Sequence, residues 1–155
     1  MRFRVAGIPT DLAAEVRHTL RSPQYGHPAH RETATGYGPC RLCLRTFAVG
    51  VDQRILFTYQ PFCDPASVPA PGPVFVHASP CERYDDTALP ADFGPLPLLF
   101  EAYGEGGMLL GQERVRDERP EELLERLFAA TDASYVHIRN AEAGCFMARV
   151  DRLGQ

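Results

Sequence analysis

The strongest constraint on the fold is an alternating pattern of apolar and polar residues near the C-terminus. Apolar residues occupy every second position on both sides of a short break, at Val136, Ile138, Phe146, Ala148 and Val150. A period of two is typical of strands with one buried face. The break, residues 140–144, ends in a glycine, which can adopt the positive φ that longer hairpin loops need. The pattern therefore predicts an antiparallel hairpin.

The simplest pairing of this hairpin places Arg139 opposite Cys145 and His137 opposite Met147. Residues two apart share a face of a sheet, so the apolar set should be core and the other set should lie together on the opposite face. That second set is Tyr135, His137, Arg139, Cys145, Arg149 and Asp151. Such a patch of titratable groups indicates a candidate site, although a solvated sheet face would show the same pattern.

Patterns elsewhere predict an α+β fold with a curved, mainly antiparallel sheet of about seven or eight strands and two helices. One helix should follow Pro9, and a second should begin at Pro120 with two glutamates in its first turn. Its predicted buried stripe is Leu123, Leu124, Leu127 and Phe128. Alternation predicts further strands near Phe3 and over residues 40–47, 54–60, 73–78, 98–103 and 108–115.

The chain has 155 residues, which predicts a single domain, 1–155, with a core that needs no disulfides. The net charge is −4, and all 16 basic residues are scattered arginines, so we do not expect nucleic acid as a partner. No apolar run is long enough to span a membrane, and we expect a cytoplasmic protein without a membrane partner. The sequence leaves the oligomeric state, any cofactor and the existence of an enzymatic activity open.

Cys40 and Cys43 form a C-x-x-C pair that invites a zinc or redox interpretation. If residues 40–47 are a strand, the two thiols point to opposite faces and cannot share an ion. Zinc turns usually have a glycine directly after the second cysteine, and Leu44 stands there instead. We therefore expect Cys40 to be a small buried apolar residue and no metal at this pair. The histidines His27, His30 and His77 are expected in loops or on the surface.

Three hypotheses for the hairpin follow. The first is binding of an anionic small molecule or peptide group by Arg41, Arg139, Asn140 and Arg149, since arginine pairs with carboxylate or phosphate through a planar fork. The second is a thiol enzyme with Cys145 as nucleophile and His137 as general base. The third is a zinc site formed by Cys40, Cys145 and His137. The first is preferred.

Four segments resemble a family of small bacterial proteins that is catalogued only as a domain of unknown function, the twelve-hundred-and-third so numbered. They read G-Y-G-P-C-R at 36–41, G-P-V-F-V at 72–76, A-Y-G-E-G-G-M at 102–108, and H-I-R-N-A-E-A-G-C-F-M-A-R-V-D-R at 137–152. The resemblance implies no activity. It implies shared positions at Cys40, Arg41, Gly72, Pro73, His137, Asn140, Gly144, Cys145 and Arg149. Relatives often carry a second histidine where this chain has Arg139, and Cys43 lies outside the shared pattern.

Overall fold

The computed structural model describes residues 2–62 and 72–154. Within these residues there are nine strands and two α-helices. The strands are β1 (Phe3–Ala6), β2 (His30–Thr33), β3 (Gln53–Tyr59), β4 (Gly72–His77), β5 (Asp85–Asp86), β6 (Leu98–Tyr103), β7 (Leu109–Arg114), β8 (Tyr135–Asn140) and β9 (Phe146–Arg152). The helices are α1 (Thr10–Thr19) and α2 (Pro120–Ala130). The predicted α+β class, antiparallel pairing and two helices are confirmed, although the strands form two sheets of six and three strands where one sheet of about seven or eight was predicted.

The chain divides into two compact units, one made of Met1–Ala6 and Asp85–Gln155, the other of Gly7–Tyr84. We call them the six-stranded unit and the three-stranded unit. The prediction of a single domain stays a prediction. No helix of the described ranges is both long and apolar enough to cross a membrane.

The six-stranded unit is an antiparallel sheet with the order β5-β1-β9-β8-β6-β7. Helix α2 begins with Pro120 and with two acidic residues in its first turn, as predicted. The whole predicted stripe of α2 is buried, and the helix packs on β6. This core also holds Val5, Phe100, Val136, Ile138, Ala148 and Val150.

The three-stranded unit is an antiparallel sheet with the order β2-β3-β4, and α1 packs on β3. Ala13 and Val16 form the buried side of α1. The helix ends at Thr19 because Leu20 adopts φ 53°, with its N–H donating to the Val16 carbonyl. Residues 40–47, predicted to be a strand, form a turn followed by irregular backbone.

Candidate metal centre

Three cysteines and one histidine converge in the three-stranded unit. They are Cys40, Cys43, His77 and Cys81, and their ligand atoms all lie within 4.8 Å of one another. The Sγ atoms of Cys40 and Cys81 are 3.8 Å apart, and Cys43 Sγ lies 3.4 Å from His77 Nδ1. Around tetrahedral zinc, with Zn–S about 2.3 Å and Zn–N about 2.0–2.1 Å, two sulfurs stand about 3.8 Å apart and a sulfur and a nitrogen about 3.6 Å apart. These two distances match those of a tetrahedral zinc site.

The first two cysteines lie on a tight turn. The Cys40 N–H donates to the Arg45 carbonyl at 2.9 Å, and the Leu44 N–H donates to the Cys40 carbonyl at 2.8 Å. Leu44 adopts φ 60°, the left-handed conformation that glycine would otherwise supply after the second cysteine. The turn brings both thiols to one side. The prediction that Cys40 and Cys43 face apart was therefore wrong, because it assumed a strand.

The other two residues of the cluster, His77 and Cys81, lie at the end of β4 and shortly after it. His77 is its last residue, and the chain bends over the next positions to bring Cys81 back toward the turn. The turn is fixed beside β4 because the Arg41 N–H donates to the Phe75 carbonyl at 2.9 Å. The His77 N–H also donates to Cys40 Sγ at 3.3 Å. His77, predicted to be a loop or surface residue, is instead part of the cluster.

Two residues that are not part of the cluster, Arg17 and Asp52, contact its members. Arg17, on α1, donates from Nε to the His77 carbonyl at 2.9 Å and from Nη2 to Cys81 Sγ at 3.3 Å. Asp52 places Oδ2 at 3.4 Å from His77 Nε2. The same oxygen accepts a hydrogen bond from the Ala48 N–H at 2.8 Å, which fixes the carboxylate.

Electrostatics in the cluster favour a cation. Hydrogen bonds from Cys40 and Cys81 lower the pKa of the Cys43 thiol, whereas hydrogen bonds to Cys40 and Cys43 raise the pKa of the Cys81 thiol. Hydrogen bonding to Cys40, and then to Cys43, raises the pKa of His77 to about 10. Three neighbouring thiols cannot all ionise without a positive charge between them. A divalent ion would supply that charge and replace the shared protons.

The family described as "Protein of unknown function (DUF1203)" matches residues 37–152, about three-quarters of the chain. This chain belongs to the DUF1203 family. The match includes all four residues of the cluster. No curated protein and no solved structure matches the chain.

The predicted hairpin of this DUF1203 chain exists as β8 and β9, but its register differs. His137 pairs with Arg149, and Arg139 pairs with Phe146, because β8 extends to Asn140, whose N–H donates to the Cys145 carbonyl, and because a bulge follows Ile138. The predicted pairs of His137 with Met147 and of Arg139 with Cys145 were therefore wrong. The bulge also turns the Phe146 ring toward His137, with 5.0 Å between the ring centroids.

His137 is fully buried and surrounded by aromatic rings. The centroids of the Tyr103, Tyr135 and Phe146 rings lie 5.0–5.1 Å from its own. Burial, and then the charges of Arg139 and Arg149, lower the pKa of His137 to about 3. The imidazole is neutral at pH 7 and a weak proton acceptor, which does not favour a general base. Cys145 is half-buried in the loop before β9, and its catalytic role stays a prediction.

The predicted anion ligands contact groups of the protein itself. Arg139 pairs with Glu101 and donates to the Gly144 carbonyl at 3.2 Å. Arg149 pairs with Asp151 at 2.9 Å, and its guanidinium lies over the Tyr135 ring. The Asn140 side chain accepts from the backbone N–H groups of residues 142 and 143, and Arg41, in the three-stranded unit, is buried and donates to the Pro39 carbonyl. Anion binding by these residues stays a prediction.

The zinc set predicted from sequence shares one residue with the observed cluster. Cys40 belongs to the cluster, whereas Cys145 and His137 belong to the six-stranded unit. Cys43, His77 and Cys81 were missed. The signal was present as C-x-x-C followed by H-x-x-x-C, a spacing suited to a site with three cysteines and one histidine. Cys63 lies outside the described residues.

Proposed function

We propose that this chain binds one Zn²⁺ ion through Cys40, Cys43, His77 and Cys81, and that the ion stabilises the fold of the three-stranded unit. The observation that carries the proposal is the spacing of the four ligand atoms, all within 4.8 Å of one another. Three thiolates and one imidazole form a donor set that zinc prefers over the harder Mg²⁺ and Ca²⁺ ions.

A structural role suits the ion better than a catalytic one. Four protein ligands complete a tetrahedral zinc site, whereas catalytic zinc usually keeps one position for water or substrate. Three thiolates, one neutral imidazole and Zn²⁺ together carry one negative charge. The Arg17 guanidinium, 3.3 Å from Cys81 Sγ, offsets it and makes that thiolate a weaker nucleophile. Cys40 and Cys43 are buried, which protects them further.

The metal content of the purified protein tests this proposal. We expect one zinc per chain, and we expect Co²⁺ substituted for zinc to show the strong visible bands and the sulfur charge-transfer band of a tetrahedral thiolate site. Cys43→Ser should lose the metal, and Cys145→Ser, which changes a thiol outside the cluster, should keep it. A chain that takes up no zinc, or that loses it equally in both variants, would contradict the proposal.

A second candidate function is the binding of an anionic group at the β8–β9 hairpin. It is favoured by Arg139 Nη2, which is buried and has no hydrogen-bond partner in the described part of the chain. A buried donor of this kind calls for an acceptor. We expect citrate or phosphate to raise the melting temperature of the native chain and to have no such effect on Arg139→Met. An equal effect on both would exclude Arg139 as the contact.

A further inference from the structure

The two ring nitrogens of His77 face different chemical groups. Nδ1 lies 3.4 Å from Cys43 Sγ, on the side of the cluster. Nε2 lies 3.4 Å from Asp52 Oδ2, on the far side of the ring. The Phe47 ring packs edge-on against the imidazole at 4.7 Å between centroids, which limits its rotation. The orientation of the imidazole is thus determined from three sides.

A neutral imidazole carries its single proton on one nitrogen, and only the other nitrogen can bind a metal. A carboxylate accepts hydrogen bonds but cannot donate one. Asp52 therefore favours the tautomer with the proton on Nε2, which leaves the Nδ1 lone pair free toward the cluster. The opposite tautomer would place the Nε2 lone pair against the carboxylate and the Nδ1 proton where the ion should bind.

We propose that Asp52 is a positioning residue that sets the tautomer of His77 and so determines the affinity of the metal site. The inference rests on the proposed zinc binding and extends it to a residue that is not a ligand. The Ala48 N–H holds the Asp52 carboxylate in place. Asp52 also strengthens His77 as a donor, because a hydrogen bond from Nε2–H to a carboxylate increases the electron density on Nδ1.

The test compares zinc affinities, measured by competition with a chromophoric chelator, for the whole chain and its variants. We expect Asp52→Ala to bind zinc about 10- to 100-fold more weakly than the wild type. Asp52→Asn retains an oxygen that can accept from both Ala48 and His77, so it should recover part of the loss. Asp11→Asn is the matched control, since Asp11 is an exposed acid in the same unit and its loss changes the net charge equally.

A second readout separates positioning from general stabilisation. Long-range ¹H–¹⁵N correlation spectra of the metal-free chain, recorded above pH 10 where the imidazole is neutral, should show His77 protonated on Nε2 in the wild type and a mixture of tautomers in Asp52→Ala. Zinc affinity unchanged in Asp52→Ala, or reduced equally in Asp11→Asn, would overturn the role of Asp52 and leave zinc binding intact. A wild type that binds no zinc would instead overturn the proposed function itself.

Discussion

His77 and His137 are both largely withdrawn from water, yet their surroundings move their protonation in opposite directions. Hydrogen bonding to Cys40 and Cys43 raises the pKa of His77 to about 10. Burial among aromatic rings, with Arg139 and Arg149 close by, lowers the pKa of His137 to about 3. The difference shows that burial alone does not identify a ligand. The groups around the imidazole decide its charge, because thiols favour the cationic form at His77, whereas burial and two nearby arginines disfavour it at His137.

The largest expected effect is the loss of the cluster. Cys43→Ser, or the removal of metal by a strong chelator, should reduce the protection of β3 and β4 amides against hydrogen exchange by at least about a hundredfold, because the binding energy of a structural zinc ion is also folding energy. Hydrogen exchange followed by peptide mass spectrometry measures this. Cys145→Ser serves as the control. If β8 and β9 lose as much protection as β3 and β4, the contrast between the two units fails.

The next effect concerns pH and His137. Its pKa is about 3 in the folded chain and about 6.5 when unfolded, so between these values only the unfolded state binds the proton. The free energy of unfolding should therefore fall as the pH decreases from 6.5 toward 3. His137→Phe removes this contribution, worth on the order of 2–3 kcal/mol over two pH units.

Urea titrations of the wild type and of His137→Phe at several pH values measure the difference in slope. Other titrating groups, including those of the cluster, are common to both proteins and cancel. His18→Gln is the control, since His18 is exposed on α1. Equal slopes for the wild type and His137→Phe would show that the enclosure of His137 does not suppress its protonation.

The smallest effect should come from Arg17. Arg17→Gln removes the charge of a donor that contacts both the His77 carbonyl and Cys81 Sγ. We expect zinc to bind about three- to tenfold more weakly, the equivalent of about 1 kcal/mol for one charge-assisted hydrogen bond. Chelator competition measures the change, and Arg21→Gln, at an exposed arginine whose side chain donates to the nearby Gly26 carbonyl, controls for charge. A stronger affinity in Arg17→Gln would show that the guanidinium opposes the ion.

Much of the fold could be predicted because local sequence patterns indicate which segments form strands and helices. Alternation predicted β8 and β9, and Pro120 with the acidic residues after it predicted the start of α2. The register of the hairpin could not be predicted, since nothing in the alternation marks Met147 as the extra residue of a bulge. A bulge depends on how neighbouring strands and side chains pack, which the local sequence does not record.

The cluster was harder to predict for two physical reasons. Leu42 and Leu44 gave residues 40–47 the appearance of a strand, whereas backbone hydrogen bonds around Cys40 close a turn there. In addition, Cys43 and His77 are 34 residues apart, and only the tertiary fold brings them together. Neither C-x-x-C nor H-x-x-x-C alone is a specific signal for a metal site. Only the folded chain shows that the two segments lie together.

At position 44, backbone conformation favours glycine, whereas burial of the side chain favours leucine. A glycine there would relieve the left-handed backbone, which costs a non-glycine residue roughly 1 kcal/mol. It would also remove a fully buried leucine side chain, a loss of about 2–5 kcal/mol. The side chain outweighs the backbone, so leucine is the more stable choice. A motif search that demands glycine after the second cysteine will therefore miss C-x-x-C turns of this kind, in which the residue at that position is part of the hydrophobic core.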